Sequence, residues 1–157
     1  METFQHNNGG RAAAGYTGTA GDCVARAIAI ASGRPYKEVY DRLAEGNAKQ
    51  RITKRTGKTA GKRSARNGIY TTRLWFKEYM KSLGFEWVAT MGIGTGCTVH
   101  VRADELPSGR LVLNLSRHSA AFIDGVLHDT YDSSRGGRRC VYGYWKLTQP
   151  AVKDGAK

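Results

Sequence analysis

Gly21-Asp22-Cys23-Val24-Ala25-Arg26-Ala27-Ile28-Ala29-Ile30-Ala31-Ser32-Gly33 reads as a short helix that is apolar on nearly every side, with only Arg26 and Ser32 polar inside it. Asp22 is a residue type favoured at a helix N-cap, and Gly33 one favoured just past a C-terminus. A helix apolar all round belongs in the middle of a domain, not on its surface. Cys23 opens the first turn. The positive end of a helix favours thiolate over thiol, so this is where a reactive sulfur would be placed.

The rest of the chain supplies layers for that helix to pack against. Arg34-Pro35 introduces a second helix, with Tyr36, Val39, Tyr40 and Leu43 in one stripe and Gly46 as its stop. A third is expected from Thr71 to Leu83, with Phe76, Tyr79, Met80 and Leu83 facing inward and Gly84 ending it. Strands then take over: Phe85–Thr90, Cys97–Val101, Arg110–Leu115, Arg117–Ile123, Val126–Thr130 and Cys140–Trp145. Residues 1–20 read as an extended lead-in with room for one short strand. Helices first and strands second predict a single α+β domain over residues 1–157, its helices packed on one antiparallel sheet. A frayed tail is expected from about residue 148.

Composition bounds the class. The 157 residues hold 25 Lys and Arg against 13 acidic residues, a formal charge of +12. Eight of those cations, Lys49, Arg51, Lys54, Arg55, Lys58, Lys62, Arg63 and Arg66, fall in a stretch without one acid. The segment 47–68 has a single aliphatic residue larger than Ala, Ile52, and reads as a mobile basic loop. Such a loop suits phosphate contacts with nucleic acid, or steering of an acidic protein partner. No aromatic residue interleaves with the cations, so base stacking is not indicated. A solvated loop that only aids solubility is the plainer reading.

No apolar run is long enough to span a membrane, and the N-terminus lacks a signal-peptide pattern. Three widely spaced Cys, at 23, 97 and 140, suggest free thiols and a cytoplasmic location. Cys97, His100 and Cys140 lack the second tight pair of a zinc site. Gly92-Ile93-Gly94-Thr95-Gly96 lacks the Lys-Ser/Thr ending of a phosphate loop. No cofactor and no metal are expected.

A second stretch answers Cys23: Arg117-His118-Ser119-Ala120-Ala121-Phe122-Ile123-Asp124-Gly125-Val126-Leu127-His128-Asp129-Thr130. Asp124-Gly125 between apolar runs signals a two-residue hairpin. Ile123 then faces Val126. Counting outward, Ala120 faces Asp129 and His118 faces Tyr131. His118 and Asp129 become diagonal neighbours on one face, their Cβ atoms about 7 Å apart. Asp124 is placed in the turn, while His128 and Asp132 point the other way. Cys23 as nucleophile, His118 as base and Asp129 as the group orienting the imidazole make a coherent set. The backbone N–H of Cys23 would hold an oxyanion with one further donor, for which Thr17, Thr19 and Gln5 are the candidates. The plain alternatives are a buried, inert Cys23 and a core His118.

Gly-Asp-Cys-x-x-x-Ala-Ile-Ala, followed by His-x5-Asp-Gly-x2-His-Asp-Thr, resembles the papain-like cysteine peptidase superfamily. It is most similar to small bacterial and phage-encoded members and to bacteriocin-leader-processing peptidases. The resemblance implies a papain-like fold, with Cys23, His118 and Asp129 matching nucleophile, base and orienting acid. It also implies a protein or peptide substrate cut at an amide, peptide or isopeptide bond, in the host cytoplasm if the chain is phage-encoded. Val24 stands where the leader peptidases carry Gly, and Thr17 where they carry a Gln. Those departures keep a second function in view: a catalytically inactive binding module of the same fold, holding nucleic acid or a host protein through the basic loop.

Overall fold

A computed structural model describes residues 3–16, 22–49, 65, 69, 71–92 and 94–148. The element order is β1 (Phe4–His6), α1 (Cys23–Ser32), α2 (Tyr36–Lys49), α3 (Leu74–Ser82), β2 (Phe85–Ala89), β3 (Arg110–Leu115), β4 (His118–Ile123), β5 (Val126–Asp129) and β6 (Gly143–Leu147). The architecture is α+β: three helices packed on a six-stranded sheet of order β1-β5-β4-β3-β6-β2. Every pairing is antiparallel except β1 with β5. The sheet is therefore mixed, which corrects the all-antiparallel expectation. The lead-in strand runs along β5 with His6 beside Asp129, a pairing no local pattern announces.

α1 has the predicted bounds. Eight of its ten residues are buried, and Gly33 closes it at φ 76° with its N–H bonded to the Ala29 carbonyl. Its small Ala faces let the helix lie close against β4 and β3. Val24, Ala25, Ile28 and Ala31 share one core with Val39, Leu43, Phe76, Met80, Val112, Ala121 and Trp145, between helices and sheet. The opposite face of the sheet carries a second core of Leu111, Leu113, Phe122, Leu127 and Tyr144, covered by Val101, Leu106 and Val141. Burying a large apolar side chain contributes about 1.5–3 kcal/mol, so both cores press the central strands into one register.

Four local expectations need correction. Gly46 does not stop α2, which continues to Lys49; instead the Trp75 indole lies against Gly46, and a Cβ there would meet it at 2.4 Å. Residues 47–49 are consequently helical, not loop, and Ala65 is buried in the core between helices and sheet; the other basic-loop positions lie outside the described residues, as does the chain from 149 onward. The Cys97–Val101 segment forms only a bridge, His100 to Cys140, and β6 starts at Gly143 rather than Cys140. Finally, Cys97 and Cys140 are joined in a disulfide, so Cys23 is the free cysteine of the three. No helix among the described residues is long and apolar enough to cross a membrane.

The Gly46 contact generates a stability test. Gly46→Ala should lower stability by about 1–3 kcal/mol in urea unfolding despite the better helix propensity of Ala, because Trp75 must move. A neutral or stabilising result would mean that Trp75 does not seat there.

Candidate functional site

The hairpin that carries His118 and Asp129 has the counted register. Ile123 pairs with Val126, Phe122 with Leu127 and Ala121 with His128. Asp124 and Gly125 both have positive φ, 47° and 85°, as a type I′ turn requires. β3 and β4 are joined by Ser116-Arg117, with Arg117 itself left-handed at φ 54°, so β4 starts at His118 and not at Arg117. A non-glycine residue in that region is uncommon, and here it directly precedes the imidazole.

His118 Nε2 lies 2.6 Å from Asp129 Oδ2. A carboxylate only accepts hydrogen bonds, so Nε2 carries the proton and Nδ1 is left to address the sulfur of Cys23. Ser133 Oγ donates to the same Asp129 oxygen at 2.7 Å, and the Thr130 N–H donates to the other. Asp129 is thus held on both oxygens, which fixes the plane of its bond to the imidazole. Cys23, at the first position of α1, stands beside the His118 ring and the backbone N–H of Ser119, both of which act on its thiol. The β4–β5 pairing ends at Ala121 and His128, which leaves that N–H at the strand end for the sulfur.

The electrostatics follow the contacts. Burial pushes the Cys23 thiol up, but the His118 bond and charge, the Ser119 N–H and the Arg26 charge outweigh it, and the thiol lies below its ordinary value. Burial pulls His118 down; Asp129 and Cys23 more than reverse this and hold the imidazolium up to about 9. Burial raises Asp129, and His118, Ser133 and Thr130 bring it below the usual carboxylate range. The Cys and His shifts run in opposite directions. Each group thereby favours the charged form of the other.

Asp22 has a role other than the predicted cap. Its side chain makes no capping bond to the helix. The carboxylate is buried, forms an ion pair with Arg11 at 3.0 Å, and accepts hydrogen bonds from Arg26 Nη1 and the Tyr36 hydroxyl. Burial, then the Asp22 bond and charge, push the Tyr36 hydroxyl well up, so it remains a donor. The other Arg26 nitrogen, Nη2, stands 3.9 Å from Asp129 Oδ1. One guanidinium thereby links the residue before the nucleophile to the acid behind the base.

Of the predicted residues, Cys23, His118 and Asp129 come together. Gln5 lies on β1 in register with His128, on an exposed position. Thr17 and Thr19 lie outside the described residues, as do Arg51, Lys54, Arg55, Lys58, Lys62, Arg63 and Arg66. Lys49 ends α2, its Nζ 3.8 Å from Glu45. His128 Nδ1 is 3.4 Å from the Asn7 amide, Asp124 accepts the N–H of Gly109, and Asp132 accepts that of Ser134. Sequence reasoning missed Arg11, Arg26, Tyr36, Ser119 and Ser133. Arg26 carried a signal: a cation in an otherwise apolar helix must be paired once buried. Ser133 carried none. Among the described residues no cluster of three His, Cys, Asp or Glu could hold a metal.

No protein family, no curated protein and no solved structure matches the chain. The geometry of the site is therefore the basis for any functional reading.

The raised His118 value has a signed consequence. A group held up in the fold contributes its full stabilisation below its ordinary value of 6.5, and loses it as pH rises through about 9. In Asp129→Asn, NMR titration of the His118 ring should move its midpoint down toward 6.5. The stability gap between wild type and variant should be widest between about pH 4, where a free Asp carboxyl titrates, and pH 6.5, and shrink toward pH 9 and toward strong acid. An unmoved midpoint would show that Asp129 does not hold the imidazolium.

Proposed function

We propose that this protein is a cysteine hydrolase with a papain-like arrangement, acting on an amide, peptide or isopeptide bond. The observation that carries the reading is His118 bonded to a doubly anchored Asp129 and placed beside Cys23, with thiol and imidazole shifted in opposite directions. The Cys-bearing helix lying against a sheet that carries His and Asp supports the resemblance noted in the sequence.

The chemistry runs through this chain's own groups. The Cys23 thiolate adds to the carbonyl carbon, and the carbonyl oxygen becomes an oxyanion beside the Cys23 backbone N–H, one of the N–H groups a helix start leaves without an intrahelical partner. The His118 imidazolium gives its Nδ1 proton to the leaving nitrogen as the C–N bond breaks, leaving a thioester. Water then attacks the thioester with His118 as base. Collapse releases the acid and restores the thiolate and imidazolium. Asp129 keeps Nε2 protonated and the ring aimed throughout. Transfer to an amine in place of water would use the same residues.

Alkylation of Cys23 by iodoacetamide against pH tests this directly, since Cys97 and Cys140 are tied up. We expect the rate to persist well below the free-thiol pKa of about 8.5. In His118→Ala it should fall at least tenfold at pH 6.5. An unreactive Cys23, or a titration indifferent to His118, would overturn the proposal.

The eight cations without an acid between residues 49 and 66 favour a second reading, a binding module for nucleic acid or an acidic protein. Heparin retention should then collapse when Arg51, Lys54, Arg55, Lys58, Lys62, Arg63 and Arg66 become Gln, and stay unchanged in Cys23→Ala. Retention that survives the seven changes would end this reading.

A further inference from the structure

Ser119, whose N–H meets the nucleophile, stands in a rung that crosses four strands. Ser119 of β4 pairs with Asn114 of β3, Asn114 with Gly143 of β6, and Gly143 with Ala89 of β2. Gly143 has no side chain to offer, and the Trp87 indole fills that place: a Cβ on Gly143 would meet it at 2.3 Å. Trp87 also packs on Trp145, ring centroids 5.3 Å apart, yet 42% of it stays exposed. Beside these rings opens a cavity of about 280 Å³ lined by Trp87, Trp145, Asn114, Thr72, Lys77 and Lys81. Trp145 belongs to the core between helices and sheet against which Cys23 also packs, so cavity and nucleophile share that face.

The cavity's chemistry is asymmetric. Its floor is two indoles. Its rim holds Lys77 and Lys81, one turn apart on α3, and no carboxylate lines it. Among the described residues no acid pairs with either lysine. Lys81 stands in the last turn of α3, where a cation suits the helix dipole, while like charges four residues apart cost a helix about 0.2–0.5 kcal/mol. An anion between them would relieve the repulsion.

Distance connects the cavity to the site. Adjacent strands lie about 4.8 Å apart, so Gly143 is about 10 Å from Ser119 along the rung. An extended peptide advances about 3.3 Å per residue. Two or three residues therefore separate a bond at Cys23 from a side chain over Gly143.

We infer that this cavity is a specificity pocket for an acidic peptide segment, an aromatic side chain on the Trp87–Trp145 floor next to a carboxylate between Lys77 and Lys81, two or three residues from the bond attacked. The inference rests on the hydrolase reading for the bond, and on the cavity alone for the binding.

Two probes test it. Acetyl-Gly-Gly-Phe-Glu-amide and its Phe-Lys counterpart are titrated against the full chain by tryptophan fluorescence, and iodoacetyl forms of the same peptides are timed against iodoacetamide on Cys23. The Phe-Glu peptide should bind, and its iodoacetyl form react, about fivefold or more better than the Phe-Lys form, a preference that salt weakens. Lys77→Gln with Lys81→Gln should equalise the two peptides. Gly143→Ala, which displaces the indole, should weaken both, and iodoacetamide rates should stay at wild type in these variants. Equal binding of the two peptides, or a preference surviving the double lysine change, would overturn the pocket and leave the thiolate chemistry standing. A preference for Phe-Glu together with a Cys23 inert to iodoacetamide would uphold the pocket and sink the hydrolase reading.

Discussion

The largely buried guanidinium of Arg26 is the constraint on which the site depends. It bonds the Asp22 carboxylate and stands beside that of Asp129, two acids from elements far apart in the chain. Neither acid could be buried as an anion without cationic or hydrogen-bonding partners, and removing one member of such a set costs about 3–5 kcal/mol. The cluster therefore fixes more than stability. It holds the start of α1 against the end of β5, and the sulfur and the imidazole between them inherit that alignment. Arg11 and Tyr36 complete the shell around Asp22, tying the lead-in and α2 to the same point.

This arrangement also settles which carboxylate does what. Asp22 is adjacent to the nucleophile in sequence, yet its oxygens are fully engaged by Arg11, Arg26 and Tyr36. Asp129 has the imidazole, Ser133 and Thr130 instead. Two buried acids stand close to one thiol, and only one can shape the proton on His118.

Much of this was legible in the residues. The bounds of α1 followed from its apolar run and Gly33. The His118–Asp129 pairing followed from Asp124-Gly125, because a two-residue turn fixes the register of every residue behind it. What escaped detection was non-local. Gly46 looks like a helix stop until Trp75, distant in sequence, is seen to need the space. Asp22 looks like a cap until Arg11 and Tyr36 claim its oxygens. The parallel strand β1 has three residues and no periodicity to announce it. Cys97 and Cys140 read as separate thiols because spacing alone does not reveal a strand-edge bridge. In each case a tertiary partner overrode a sound local preference.

The pairing of β1 with β5 places Phe4–His6 beside Leu127–Asp129, far later in the chain. Cys23 and its helix leave the ribosome long before His118, Asp129 and Ser133 exist. Contacts of such sequence separation form late, because closing the chain around them precedes any gain. The nascent chain thus carries an ordinary thiol, and the surroundings that lower it arrive only when β4 and β5 join the sheet. Under the hydrolase reading, synthesis order itself would work as a safety catch on the chemistry.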